Sequence, residues 1–158
     1  MGGSDRRTTM DDRSRKYELF VQGATEALDI CFNDERDHGD WQLTKKAMTE
    51  WRGTLAWFFQ CHFNDLERLV EEFDQCWDHL GVLFVLTVNG HGDGYWDQTR
   101  YRLEDRTKTK RIGNKLTRFC KEYNEISLFH KAGKYVEFEQ ELLPHGHYRK
   151  TGTIRKEK

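Results

Sequence analysis

Apolar residues recur every three to four positions along much of the chain, and each such stretch predicts a helix. After Ser14, which suits an N-cap, Phe20, Ala24, Ala27, Leu28 and Cys31 fall on one helical face. The polar segment Asn33 to Asp40 breaks that period. Thr44 can then cap a second helix whose face carries Met48, Trp51, Leu55, Phe58 and Phe59. Asn64, with Glu67 three residues later, has the form of a capping box and opens a third helix through Leu66, Leu69, Val70, Phe73 and Trp77. A fourth is expected over Lys108 to Tyr123, with Ile112, Leu116, Phe119, Cys120 and Tyr123 on one face.

Between the third and fourth helices the period changes. Val82 to Leu86 is apolar on both alternating faces, the pattern of a central strand covered on two sides. Asn89-Gly90-His91-Gly92-Asp93-Gly94 supplies residues that tolerate positive φ, so the chain is expected to reverse there into Tyr95-Trp96 as a glycine-rich β-hairpin. Ile126 to Phe129 and Tyr135 to Phe138, either side of Lys131-Ala132-Gly133-Lys134, read as a closing hairpin. The expected fold is therefore α+β: three N-terminal helices, a glycine-rich hairpin, a fourth helix and a C-terminal hairpin. Its strands are expected to form a small antiparallel or mixed sheet of four, packed on the helices. Residues 1–13 read as a flexible polar tail, 14–143 as a single domain, and 144–158 as a basic, flexible tail.

Composition narrows the class. A length of 158 residues suits one domain with a sizeable core, and 13% aromatic residues give that core large rings. The single proline, Pro144, argues against proline-rich linkers. Cys31, Cys61, Cys76 and Cys120 are widely spaced without a CxxC pair, and Met1 to Asp12 is polar, a combination that points to the reducing cytoplasm. The apolar run Val82 to Val88 is far shorter than the roughly 20 residues a membrane span needs.

The segment Leu86-Thr87-x-Asn89-Gly90-His91-Gly92-x-Gly94-Tyr95-Trp96-Asp97 resembles one typical of a family of small tailed-bacteriophage proteins. The similarity extends more weakly from the first helix to the last hairpin. Asp93 stands where that family has a small residue and Tyr95 where it has Phe, and the basic tail after Glu139 is longer. The resemblance implies a phage origin and expression in the cytoplasm of a bacterial host, where such accessory proteins bind host machinery. It implies no reaction. No cofactor is expected.

Candidate chemistry lies in three places. His91, Asp93 and Asp97 could bind a divalent cation or act as acid and base, although a calcium-loop reading fails because Arg100 stands where a bidentate Glu is needed. The alternative is that this segment serves only the turn, with Asn89 and Asp93 bonding local backbone. His145 and His147, with His130, and the pairs Cys61-His62 and Cys76-x-x-His79, are metal-type residues without a complete ligand set; Cys61 and Cys76 more simply extend apolar faces. No Walker loop, dinucleotide fingerprint or GxSxG elbow is present.

Charge distribution says more than the net charge of −1. Asp65, Glu67, Glu71, Glu72, Asp74 and Asp78 face a single basic Arg68 in that stretch, whereas Arg106, Lys108, Lys110, Arg111, Lys115 and Arg118 make the fourth helix basic. Glu67, Glu71, Glu72 and Asp74, with the aromatic Tyr95 and Trp96, are candidates for docking a host protein. The basic helix, joined by the C-terminal tail, is the candidate for nucleic acid. Either set also reads as a solvated face. Trp51 and Trp57, six residues apart, must point to different sides of the second helix.

Overall fold

The computed structural model describes residues 2–32, 38–90, 95 and 106–142, with backbone alone over 2–11 and 106–110. Its helices are α1 (Gly2–Ala27), α2 (Lys45–Cys61), α3 (Phe63–Phe73), α4 (Trp77–Val88) and α5 (Arg106–Cys120). A short 3-10 helix, Leu28–Cys31, continues α1. The strands are β1 (Gln42–Leu43), β2 (Leu128–Ala132) and β3 (Tyr135–Phe138), in the order β1-β3-β2. Among the described residues this is a small α+β fold with a mixed sheet. No described helix is long and apolar enough to cross a membrane.

The centre of the molecule is α4, and here the sequence expectation is corrected. Val82 to Val88 is helical and not a strand. A helix that is apolar all round shows no stripe, so a short stretch of it has the same look as a doubly covered strand. α4 is covered on several sides: Leu80, Leu83, Phe84, Val85 and Thr87 are all buried. Its most extensive partner is α1, and the two backbones touch. A Cβ on Gly81 would stand 2.0 Å from the Phe20 carbonyl oxygen, and one on Gly23 1.8 Å from that of Asp78. The two glycines let the helices interlock without side chains between them.

α4 ends at Asn89, followed by Gly90 at φ +74°, where the missing side chain removes the strain of a left-handed turn. The expected glycine-rich β-hairpin therefore lacks its first strand, and residues 91–94 and 96–105 lie outside the described residues. Asn89 still fixes the exit of the helix. Its carboxamide donates to the Ile126 carbonyl at 2.9 Å and accepts from the Ile126 N–H at 2.7 Å. The expectation of purely local bonding is thus replaced by a clamp across 37 residues.

The first three expected helices are four elements. α1 begins at Gly2 and not after Ser14, so helical backbone occupies the segment expected as a tail. α2 starts where expected, with Thr44 accepting from the Ala47 N–H at 3.1 Å. The same hydroxyl donates to Glu137 of β3 at 2.7 Å, joining cap and sheet. α3 starts at Phe63 without a side-chain cap, so the expected box at Asn64 is absent. It stops at Asp74, which adopts φ +63° and ψ +34°, a left-handed cap seldom taken by anything but glycine or asparagine. Trp77 consequently opens α4 and does not continue α3.

The C-terminal hairpin forms as expected, with β2 reaching to Ala132 and Gly133 at φ +59° in the turn. β1 pairs parallel to β3, giving three described strands where four were expected. Val136 and Leu128 point into the core, and Trp51 of α2 packs 5.4 Å from Phe138. Trp51 is fully buried, its indole donating to Thr25 at 3.0 Å, while Trp57 is half-buried on another side.

Candidate functional site

The acidic candidates sit on α3 because its apolar residues, Leu66, Leu69 and Phe73, repeat at three and four positions and turn the intervening side chains outward. These carboxylates are not equivalent. Asp65 is bonded to Lys115 of α5 at 2.9 Å and Glu67 to Lys16 of α1 at 3.0 Å, both partly sheltered. Glu72 pairs with Arg68 one turn away at 3.2 Å. Glu71, Asp74 and Asp78 are exposed and have no cationic partner among the described residues. The acidic surface is therefore a rim carried by α3 and the turn into α4, with its inner members already neutralised.

The basic candidates lie on the adjoining helix. Arg106, Lys108 and Lys110 belong to α5, but their side chains lie outside the described residues. Arg111 and Arg118 are exposed. Lys115 is the meeting point of the two charged sets through Asp65, so basic and acidic surfaces adjoin instead of occupying opposite poles.

Tyr95 is not part of any exposed surface. It is buried in the core: its hydroxyl donates to the Leu80 carbonyl at 2.7 Å, its N–H to Thr87 at 2.9 Å, and its ring stacks 6.1 Å from Phe58. Trp96, His91, Asp93 and Asp97 lie outside the described residues, as do His145 and His147. No group of three or more His, Cys, Asp or Glu fit to hold a metal occurs among the described residues. His62 is enclosed between Phe58 and Phe119, with centroids at 4.7 and 4.5 Å.

The cysteines divide in two. Cys31 and Cys120 are buried, whereas Cys61 and Cys76 are exposed, against the expectation that both extend apolar faces. Burial, with Glu125 adding a smaller push, raises the Cys31 thiol to about 12 despite an Asn89 contact, and burial raises Cys120 as well. Both are held as thiols at neutral pH, a state unsuited to nucleophilic work.

Two aromatic clusters were not visible in the sequence. His38 Nδ1 and His130 Nε2 lie 2.9 Å apart, and Phe32 stacks on His38 with centroids at 3.8 Å. This cluster joins residues 92 positions apart, which no local pattern reports. The second lies where α1 meets α3 and α4: the Arg13 guanidinium is 3.9 Å over the Phe63 ring, Lys16 is near both Phe63 and Trp77, and those two rings stack at 5.7 Å. Part of this signal was available as basic residues spaced along a helix, but it fell at the edge of the segment read as a tail.

No family model, curated protein or solved structure matches the chain.

Proposed function

We propose that the protein is a non-enzymatic binding module that docks a basic surface of a partner protein onto the acidic rim of α3. The observation that carries this reading is the set of exposed carboxylates, Glu71, Asp74 and Asp78, left without a cationic partner among the described residues. Glu71 stands on α3, pinned by Leu66, Leu69 and Phe73, Asp74 caps that helix, and Asp78 lies in the first turn of α4 beside the buried Trp77, so the three are placed before a partner arrives. Such a rim steers association and suppresses acidic partners more than it supplies affinity. Following the phage resemblance, the partner is a host protein of the bacterial cytoplasm, and the effect is inhibition of host defence or redirection of replication.

The test is capture of host polypeptides by tagged protein, compared with a Glu71→Lys/Glu72→Lys variant of unchanged thermal stability. Retention that falls with salt and is lost in the variant supports the reading. Retention indifferent to both overturns it. A second reading, nucleic-acid binding through α5, is favoured by the exposed Arg111 and Arg118. It requires binding that weakens steeply with salt and fails in an Arg111→Ala/Arg118→Ala variant. The residues of the third reading, a metal-dependent hydrolase centred on His91, Asp93 and Asp97, lie outside the described residues.

A further inference from the structure

We propose that the groove between α1 and α2 is a binding site for a small anion with a flat apolar body, an aromatic carboxylate, and that Arg13 recognises its charge. The groove has a volume of about 300 Å³ and is lined by Arg13, Ser14, Tyr17, Ala56, Phe59 and Gln60. That is the lower end of the size range of small-molecule clefts, suited to a body of one or two rings. Tyr17, Ala56 and Phe59 supply apolar surface, while Ser14 and Gln60 add a hydroxyl and a carboxamide. No carboxylate is among the described lining residues.

The charge balance around the groove singles out Arg13. Among the described residues, Asp12 is engaged with Arg15 and Lys16, Glu67 with Lys16, and Glu18 with Arg52. Hydrogen bonds to Lys16 and Arg15 hold the Asp12 carboxyl below its ordinary range, so it stays committed to those two cations. Arg13 is exposed, has no acid partner among the described residues, and is placed by its contact with the Phe63 ring. A guanidinium held on an aromatic face keeps its fork of N–H donors for a carboxylate, a geometry an ammonium cannot match.

The wall beside it is fixed in advance. The Tyr17 hydroxyl donates to the Arg52 carbonyl at 3.0 Å, and its ring meets Phe59 edge-on at 5.3 Å. A ligand would therefore order few side chains on entering. None of the lining residues belongs to the acidic rim, so this site and the docking surface stand or fall separately.

The test uses the full chain and two probes of one shape, naphthalene-1-carboxylate and the neutral 1-naphthalenemethanol, in calorimetric titration with amide chemical-shift mapping. The carboxylate should bind with shifts centred on residues 13–17 and 56–60. Loss of the charged hydrogen bonds should weaken the alcohol, and the Arg13→Gln variant, by about tenfold or more. Filling the groove with Ala56→Phe, or with Gln60→Trp should the first variant unfold, should abolish binding. Equal affinity for the two probes, undiminished binding by folded Arg13→Gln, shifts centred elsewhere, or no binding up to about 1 mM would each overturn the proposal.

Discussion

Replacing Gly81 by alanine should destabilise the protein, although alanine is the better helix former. At an open helical site the exchange gains up to about 1 kcal/mol. At Gly81 the new Cβ would lie 2.0 Å from the Phe20 oxygen, where ordinary contact begins at 3.4 Å. The shortfall is 3.4 − 2.0 = 1.4 Å, and the obstructing atom is backbone, which has no rotamer to escape into. α1 and α4 must part, and a gap of about an ångström already forfeits a quarter to a half of each dispersion contact between them. Overpacking costs about 1–3 kcal/mol and occasionally more. With the clash at the top of that range, the net loss should be about 2 kcal/mol, lowering the midpoint of thermal unfolding by about 4–8 °C for a chain of this size. Gly23→Ala should behave alike, and the double variant should cost less than the sum, since one separation relieves both contacts. Gly53 of α2 is the control, because a Cβ there meets nothing within 4 Å and should stabilise. Urea titrations of the four variants would decide it, with unchanged slopes confirming that the native state is what moved. Equal and positive effects at Gly53 and Gly81 would refute the close backbone approach.

Asn89→Ala should cost about 2–3 kcal/mol, because both backbone groups of Ile126 lose their partner, and hydrogen exchange at the Ile126 amide should rise. Glu137 is held below its ordinary carboxylate range, first by the Thr44 hydroxyl and then by Lys131. Since the unfolded chain takes up that proton at higher pH than the folded one, this stabilisation is complete above about pH 5 and fades as pH falls further. Glu137→Gln should therefore flatten the acid limb of a stability–pH curve, and a curve of unchanged steepness would refute the assignment. Iodoacetamide on native protein should add two alkyl groups, at Cys61 and Cys76, and four only after denaturation. Mass spectrometry reads the count, and rapid labelling of Cys31 or Cys120 would contradict their burial.

The amphipathic elements were legible. The faces of α1, α2 and α5 and the β2–β3 hairpin follow from helical and alternating periods, and Thr44 was readable as a cap because its chemistry is local. What failed has particular causes. α4 carries apolar residues on every side, so periodicity could not separate helix from strand. The stop at Asp74 is a left-handed turn made without glycine. Tyr95 reads as a surface aromatic beside Trp96, yet its hydroxyl finds a carbonyl in the core 15 residues back. The acidic rim was readable as a run of charges, but which members remain unsatisfied depends on Lys16 and Lys115, from distant helices. The Arg13 groove was invisible, since its walls, residues 13–17 and 56–60, come from two separate helices.

The interlocked glycines also make α1 and α4 a vernier. Shifting either helix by one residue would bring a side chain onto the other's main chain, so their register has a single setting. α1 carries Lys16, and α4 begins at Trp77. The position of Lys16 over the Trp77 ring is therefore gauged from two points of contact deep inside the molecule.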